Sequence, residues 1–324
     1  MKNKHVLIIS TKLDLATDAI VRYLTSKDVK FTRLNTEDFP FHTSLSLMSY
    51  ENVLESNILY EDFLGNKIDL SNISSIWFRK FRNPEKPSPL NEGTFDFCMK
   101  EARNLIFGLI NNYNKKIMSH PEKIYTAELK PYQLKIAKEV GFIIPDTIIS
   151  NNPEEIKKHF FQFNKKMIVK SVKSGYAKVE NECYSIYTSE VLEEHLEHIS
   201  SARLCPSIYQ KHIEKKSELR ITYVDGRIFV AEIDSQSDIA AKIDWRQTIN
   251  PNLPHKISYL PESIHKKIID FMTKLGLVFG ALDFIITPNG DYIFLEVNPN
   301  GQWLWLDDIL DLGITESIGN WLMN

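Results

Sequence analysis

The strongest constraint on the fold is residues 280–298, near the C-terminus, where two apolar runs flank Asn289-Gly290. This dipeptide between apolar runs is typical of a β-hairpin turn. If these two residues form the loop, the register places Asp283 directly opposite Glu296. Asn298 follows two residues beyond Glu296 and therefore shares its face. The pattern predicts three oxygen-bearing side chains on one patch of a sheet.

This patch offers the oxygen ligands that a hard cation prefers. Two carboxylates directly opposite each other repel, so a cation between them would stabilise the pair. Oxygen ligands favour Mg²⁺ or Ca²⁺ over zinc, and Mg²⁺ completes its shell with water and substrate phosphates. The alternative is an exposed polar face without a ligand. Pro299-Asn300-Gly301 ends the predicted strand at this patch, which favours a metal site over a plain polar face. The predicted metal ligands are Asp283, Glu296 and Asn298.

Basic residues on other predicted elements could hold phosphates near such a metal. Lys170 closes a short apolar strand, and Lys130 precedes a helix that begins at Pro131. Surface exposure is the ordinary alternative for both lysines. Arg220 alternates with apolar residues in a strand, where it could stabilise charge on a transferred phosphoryl group. Its ordinary alternative is a salt bridge with Glu218.

A third segment, residues 209–213, ends a predicted strand just before a charged turn. Exposed backbone N–H and C=O groups at such a point can bind the edge of an adenine. The predicted adenine segment consists of Gln210, Lys211, His212 and Ile213. His212 receives no chemical role, because an isolated histidine there is more often a surface residue.

The N-terminus predicts an α/β unit with a parallel pair of strands. Residues 6–9 and 30–34 are predicted strands, and residues 14–27 are a predicted helix between them. No G-x-G-x-x-G follows the first strand, so a dinucleotide site is not expected. The pattern breaks at Ser119-His120-Pro121. The predicted domains are residues 1–119, 120–204 and 205–324, in an α/β (α+β) fold.

Composition excludes several classes of protein. The 324 residues carry a formal net charge of -3, which argues against a nucleic-acid partner. The 3 cysteines are widely spaced and suggest neither a disulfide framework nor a zinc site. No apolar run approaches the roughly 18 residues that a membrane span needs. We therefore predict a cytoplasmic protein without a membrane partner.

Taken together, the motifs resemble the ATP-grasp superfamily and, more narrowly, its peptide-cyclising branch, the graspetide maturases (microviridin-type, including grasp-with-spasm maturases). Glu-Val-Asn-Pro preceded by an Asp-Phe strand is specific to ATP-grasp enzymes, and the tryptophan-containing motifs narrow the resemblance to the maturases. It covers nearly the whole chain. The motifs are Phe294 to Trp303, Leu282-Asp283-Phe284, Lys130-Pro131 with Gln133, Ile168-Val169-Lys170, Asp244-Trp245-Arg246 and Trp77-Phe78-Arg79.

The resemblance implies a fold and a set of roles. An N-terminal pre-ATP-grasp domain would precede two subdomains that sandwich ATP. The implied roles are ATP phosphate binding by Lys130 and Lys170, adenine binding by Gln210 to Ile213, Mg²⁺ binding by Asp283, Glu296 and Asn298, catalysis at the γ-phosphate and the substrate carboxylate by Arg220 and Arg246, and substrate binding on the N-terminal side by Arg79. One departure from the family lies in residues 171–176, where a single glycine stands in place of a glycine-rich phosphate loop.

The implied reaction is ATP-dependent ligation within a ribosomally made precursor peptide. An Asp or Glu side chain would take the γ-phosphoryl group, and a Ser or Thr hydroxyl or a Lys amine would then close an omega-ester or omega-amide ring. A leader sequence on the peptide and a homodimeric enzyme are also implied.

Two alternatives remain open at this point. An ATP-grasp ligase that adds amino acids to a small molecule or a protein terminus would share every ATP and metal residue. Only the tryptophan-containing motifs argue against it, and a precursor gene beside this one would discriminate. A nucleotide-binding scaffold without turnover is the second alternative. The complete set of three metal ligands, two lysines and an arginine argues against a scaffold.

Overall fold

The computed structural model describes residues 4–51, 57–113, 115–173, 175–180, 182–250 and 252–324. The chain forms two compact units. The first contains the residues up to Ile124 together with Leu277–Phe279 and Gln302–Asn324; the second contains Tyr125–Gly276 and Gly280–Gly301. The C-terminal residues thus belong to the same unit as the N-terminus. The predicted division into residues 1–119, 120–204 and 205–324 stays a prediction.

The described chain contains both strands and helices. The strands are β1 (His5–Ser10), β2 (Lys30–Asn35), β3 (Ser44–Met48), β4 (Asn57–Glu61), β5 (Lys67–Asp69), β6 (Ser75–Phe78), β7 (Lys116–Met118), β8 (Thr147–Ser150), β9 (Met167–Ser171), β10 (Tyr176–Val179), β11 (Glu182–Ser185), β12 (Ser189–Val191), β13 (Ser207–Lys211), β14 (Ser217–Val224), β15 (Arg227–Ile233), β16 (His255–Ile257), β17 (Phe279–Ile286) and β18 (Tyr292–Asn298). The helices are α1 (Leu15–Ser26), α2 (Glu92–Asn112), α3 (Pro121–Ala127), α4 (Lys130–Glu139), α5 (Pro153–Gln162), α6 (Glu262–Leu275), α7 (Leu304–Leu310) and α8 (Ile314–Met323). The 3₁₀ segments include Glu193–Leu204, which is interrupted by a kink at His198, and the shorter Ile239–Ala241 and Trp245–Gln247.

The first unit is built on a parallel sheet with strand order β2-β1-β6-β7. Every residue of β1 is buried, as expected for a parallel strand covered on both faces. Helix α8 packs against α1 in this unit, and Gly319 lies so close to the Tyr23 ring that a Cβ there would overlap it. The predicted N-terminal α/β unit is confirmed. A three-stranded antiparallel sheet, β3-β4-β5, was not predicted.

The second unit contains two larger antiparallel sheets. One has the order β12-β9-β13-β8, and α5 covers it through a core that includes Ile156, Phe160 and Tyr209. Strand β8 lies at its edge and follows Pro145 closely, as is usual for proline near an edge strand. The other sheet has the order β16-β15-β14-β17-β18. Its aromatic core consists of Phe142, Phe271, Phe284 and Phe294, with ring centroids 5.0–5.4 Å apart.

The turn between β17 and β18 is longer than the sequence predicted. Thr287 N–H donates to Asp291 O at 3.0 Å, and Gly290 N–H donates to Thr287 O at 2.9 Å. Three residues therefore form the loop, and the last of them, Gly290, has a left-handed φ of 87°. This is the common three-residue hairpin loop. The prediction of a two-residue loop formed by Asn289 and Gly290 is wrong.

A β-bulge in β18 compensates for the extra loop residue. Next to the turn, Phe284 faces Phe294, one position off the predicted register. The register shifts between Phe284 and Asp283, which leaves Leu295 as the extra residue on its strand. Beyond the bulge Asp283 faces Glu296, as predicted. Bulges re-aim side chains in this way, and here the bulge sets which side chain meets Asp283.

In the described part of the chain, no helix is both long and apolar enough to cross a membrane.

Candidate active site

The two central carboxylates, Asp283 and Glu296, lie opposite each other on neighbouring strands. Each has its own cation. Arg220 donates from one guanidinium nitrogen to both oxygens of Asp283 at 3.0 Å, and Lys130 donates to Glu296 at 2.6 Å. These ion pairs offset the cross-strand repulsion that the sequence implied. The carboxylates therefore hold a defined position without requiring a metal for the fold.

The surroundings shift the pKa values of these two carboxylates in opposite directions. Burial raises the pKa of Asp283; the charge of Arg220 opposes this, and the charge of Glu296 adds to it. Burial alone would also raise the pKa of Glu296, but the charges of Lys130 and Lys170 lower it to about 2. Glu296 is thus firmly ionised, whereas the charge on Asp283 is incompletely compensated. An additional cation at this pair would stabilise the Asp283 carboxylate.

Helix α4 carries Lys130 and also contacts strand β18, on which two of the three predicted metal ligands lie. Lys130 stands at its N-terminus, and Gln133 is buried one turn later. Strand β18 lies at the edge of its sheet, so its backbone needs partners elsewhere. The amide of Gln133 supplies them, because it donates to Val297 O at 2.8 Å and accepts from Val297 N–H at 3.1 Å. Val297 lies between Glu296 and Asn298.

Gln133 is a site residue whose role the sequence did not indicate. We expect Gln133→Leu to leave both backbone groups of Val297 buried without partners, at a cost of about 1–3 kcal/mol each. The Mg²⁺ dependence of activity should shift to higher metal concentration, because Glu296 and Asn298 lose their support. Thermal unfolding and a Mg²⁺ titration measure the two effects. An unchanged metal dependence in Gln133→Leu would contradict this role.

Asn298, the third predicted metal ligand, is exposed at the end of β18 and pairs with Ala281. Its Oδ1 accepts from Asn300 N–H at 3.1 Å. The described residues include no group of three histidine, cysteine, aspartate or glutamate side chains that could hold a metal. The predicted set of two carboxylates and one amide therefore fits Mg²⁺, which shares its shell with water and phosphates, better than a metal that needs a complete protein cage.

Arg246 is held by a buried carboxylate. Asp244 is 4% exposed and accepts from the Nε and Nη2 of Arg246 at 2.8 and 2.5 Å. These hydrogen bonds raise the pKa of Arg246, and the charges of Glu296 and Asp283 raise it further. Arg246 is thus within electrostatic reach of both predicted metal carboxylates. The bidentate pairing also fixes the orientation of the guanidinium group.

The sheet β12-β9-β13-β8 supplies Lys170, and its strand β13 leads into the predicted adenine segment. Burial lowers the pKa of Lys170, and the charge of Glu296 opposes this. Four cations, Lys130, Lys170, Arg220 and Arg246, therefore act on two carboxylates. Asp244 pairs with Arg246, so these four cations face three carboxylates, and the remaining positive charge fits the phosphates of a nucleotide.

Two backbone N–H groups of the predicted adenine segment already donate hydrogen bonds within the protein. Lys211 N–H donates to Asp146 O and His212 N–H donates to Lys166 O, both at 2.9 Å. Gln210 is 1% exposed and donates to Thr147, but within the described part of the chain its Oε1 has no hydrogen-bond partner. A buried acceptor of this kind fits a donor such as an adenine amino group. Ile213 follows the end of β13.

Arg79 lies in the first unit, whereas the other predicted site residues lie in the second. Its side chain is fully buried: Nε is 3.3 Å from Asp14, Nη2 donates to Gln302 at 3.0 Å, and the guanidinium carbon is 5.0 Å from the centroid of the Trp303 ring. These contacts fix the segment that follows the β18 strand. Substrate binding by Arg79 stays a prediction. In the glycine-poor loop at 171–176, Ser174 lies outside the described residues.

Comparisons with known proteins identify the fold and the family. The family model of the MvdD pre-ATP grasp domain matches residues 5–125. A RiPP-associated ATP-grasp ligase of Chryseobacterium gregarium, solved with ADP and a leader and core peptide, is 30% identical, with a TM-score of 0.91 over 98% of this chain and 96% of that chain. Macrocyclase MdnB from Microcystis aeruginosa MRC is 31% identical, with a TM-score of 0.82 over 98% and 99%.

Macrocyclase MdnC from the same organism, solved with precursor peptide MdnA, is 29% identical with a TM-score of 0.86, again over 98% and 99% of the two chains. A search of curated proteins finds no match. The fold and the clustered cations and carboxylates define an ATP-grasp enzyme, an ATP-dependent ligase. Because relatives at 30% and 31% identity align over nearly the whole chain, the protein belongs to the family of RiPP-associated ATP-grasp ligases, the graspetide maturases.

Proposed function

We propose that this protein is a peptide macrocyclase that joins side chains of a ribosomally made precursor peptide at the expense of ATP. The observation that carries the proposal is the pair of carboxylates, Asp283 and Glu296, which lie opposite each other and are acted on by the charges of four cationic side chains. The relatives crystallised with precursor, leader or core peptides support a peptide as the substrate. A leader on the precursor and a homodimeric enzyme are parts of the proposal.

The first chemical step is transfer of the γ-phosphoryl group of ATP to an Asp or Glu side chain of the peptide. A carboxylate oxygen forms a bond to phosphorus, the bond to the β-phosphate breaks, and ADP leaves. Lys130 and Lys170 bind the phosphates, while Arg220 and Arg246 orient the peptide carboxylate and stabilise the charge on the moving group. Asp283, Glu296 and Asn298 would hold Mg²⁺, which neutralises phosphate charge when bound.

The second step closes the ring. A Ser or Thr hydroxyl, or a Lys amine, of the same peptide attacks the acyl carbon. The bond to phosphate breaks, inorganic phosphate leaves with the bonding electrons, and the proton of the nucleophile passes to the departing phosphate. The product is an omega-ester or an omega-amide. The nucleophile comes from the peptide, so the contribution of the protein is to position the two groups and to stabilise charge. Gln210 and Ile213 would bind the adenine.

Release of ADP tests the substrate class. We expect ATP turnover to increase when the purified protein receives the peptide encoded by the nearest small open reading frame, and to stay at its basal rate with free amino acids. The opposite pattern, stimulation by amino acids alone, would assign the protein to the ligases that act on small molecules.

The lowered pKa of Lys170 predicts how nucleotide binding depends on pH. A bound phosphate favours the protonated lysine, so affinity begins to fall when the pH rises through the pKa of the free protein. Because burial lowers that pKa, the fall should begin below the ordinary value of 10.5. In Lys170→Arg the guanidinium stays charged, so the part of the loss that begins below 10.5 should disappear. Titration of ADP binding between neutral and alkaline pH measures it, and identical profiles for the two proteins would contradict the assignment.

A further inference from the structure

We propose that Lys215 and Glu218 are positioning residues that fix the segment carrying Arg246 onto the sheet face that carries Arg220. Neither residue is part of the binding or catalytic set described above. The inference rests on the proposed function, in which Arg220 and Arg246 act on the transferred phosphoryl group and its acceptor.

Lys215 and Glu218 form a buried ion pair, in which both charges are desolvated. The Nζ of Lys215 donates to a carboxylate oxygen of Glu218 at 2.9 Å, and the two side chains are only 5% and 9% exposed. Burial raises the pKa of Glu218, and the charge of Lys215 opposes that rise. Taking two charges out of water usually costs about as much as the ion pair returns. Stabilisation of the fold alone is therefore a weak reason for such a pair.

Lys215 also reaches the segment that carries Arg246. Its Nζ donates to the carbonyl of Ile243 at 2.9 Å, and Ile243 directly precedes Asp244. Asp244 accepts from the N–H of Thr188 at 3.1 Å and binds the guanidinium of Arg246 through both oxygens. A continuous path of polar contacts and one peptide unit thus leads from Lys215 to Arg246.

On the other side, the pair is anchored in the sheet. Glu218 and Arg220 are two residues apart on β14, are both buried and point to the same face. Arg220 in turn binds Asp283. Asp283 stands on the neighbouring strand β17, and its charge also acts on Glu218. Lys215 and Glu218 therefore connect two guanidinium groups that stand on different elements, one on a strand and one on a 3₁₀ turn.

This role differs from simple stabilisation in one measurable way. If Lys215 acts through Arg246, its removal should have no additional effect once Arg246 is gone. If Lys215 only stabilises the fold, the two losses should combine independently. A double-mutant cycle therefore separates the two roles.

The ratio of the affinities for AMPPNP and ADP, each with Mg²⁺, reports contacts to the γ-phosphate and needs no peptide. We expect Arg246→Ala to lower this ratio, Lys215→Met to lower it by a similar factor of about ten, and the double variant to lower it no further. Lys216→Met is the matched control, because this adjacent lysine is exposed, and it should retain the wild-type ratio. If Lys215→Met fails to fold, Lys215→Met combined with Glu218→Gln removes both buried charges and provides the same comparison.

An unchanged ratio in Lys215→Met or in Arg246→Ala, or losses that multiply in the double variant, would overturn the inference. The wild-type protein is assayed separately for peptide modification. If the ratio behaves as expected while no peptide is modified, the proposed function fails and the positioning role stands.

Discussion

Substitution of Glu296 by glutamine should abolish ligation while leaving the protein folded. The change removes one charge from the carboxylate pair and keeps the size of the side chain. The amide is a weaker ligand for Mg²⁺, so the charge on the transferred phosphoryl group is less well stabilised. We therefore expect kcat to fall by at least about 10²-fold. Glu296 is also the partner of Lys130, at 2.6 Å, so the lysine must find another acceptor. We expect a change of only a few degrees in Tm, because the pair is partly exposed to solvent.

Two measurements accompany the kinetics of Glu296→Gln. Isothermal titration with Mg²⁺ and nucleotide should show weaker metal binding. Glu262→Gln serves as the control, because Glu262 makes an exposed ion pair with Lys266 on α6 and should behave like the wild type. Full activity in Glu296→Gln at low Mg²⁺ concentration would refute the metal assignment.

The second large effect is expected from Gly301→Ala. A Cβ at position 301 would overlap the Cβ of Ala281 and would lie 2.9 Å from the Nη2 of Arg220. The Ala281 methyl group cannot rotate away, so the backbone or the guanidinium group must move. Overpacking of this kind costs about 1–3 kcal/mol. A displacement of about 1 Å at a group that orients the reaction can cost about 10²-fold in rate.

Gly108→Ala is a matched control for this glycine substitution. Gly108 lies in α2, and a Cβ there would meet nothing within 4 Å. Because glycine is about 1 kcal/mol less favourable than alanine inside a helix, the control should be slightly more stable than the wild type. Kinetics and thermal unfolding of both variants test the argument. Equal activity in Gly301→Ala and the wild type would contradict the position assigned to Arg220.

Much of the fold followed from local pattern. The predicted strands at the N-terminus became β1 and β2, and the helix predicted to begin at Pro131 became α4. Helices α4 and α6 are each followed by a glycine with a left-handed φ, which is 80° at Gly141 and 68° at Gly276. Apolar periodicity and glycine stops are local signals, so they can be recognised in a single sequence. The sheet β3-β4-β5 escaped prediction because its strands are short and only partly buried, so their periodicity is weak.

The candidate site shows where such reasoning ends. The predicted hairpin correctly placed Asp283 opposite Glu296. It had one loop residue too few, however, and it lacked the bulge at Leu295. The two deviations cancel beyond the bulge. A bulge depends on packing across the sheet, so the sequence alone carries little sign of it.

Contacts between residues that are far apart in the chain could not be predicted either. Gln133 is 164 residues away from Val297, whose backbone it holds. Lys130 similarly meets Glu296 only through the packing of α4 against β18. Sequence spacing gives no distance between such positions, whereas it does for residues on one strand or one helix face.

The most direct test of macrocyclisation is the mass of the peptide. The purified protein would be incubated with ATP, Mg²⁺ and the peptide encoded by the nearest small open reading frame. Each ring closed through an acyl phosphate removes one water, so we expect losses of about 18 Da per ring with release of one ADP for each. Mild base would then cleave esters and leave amides. A peptide whose mass stays unchanged while ADP is released in the presence of free amino acids would contradict the account.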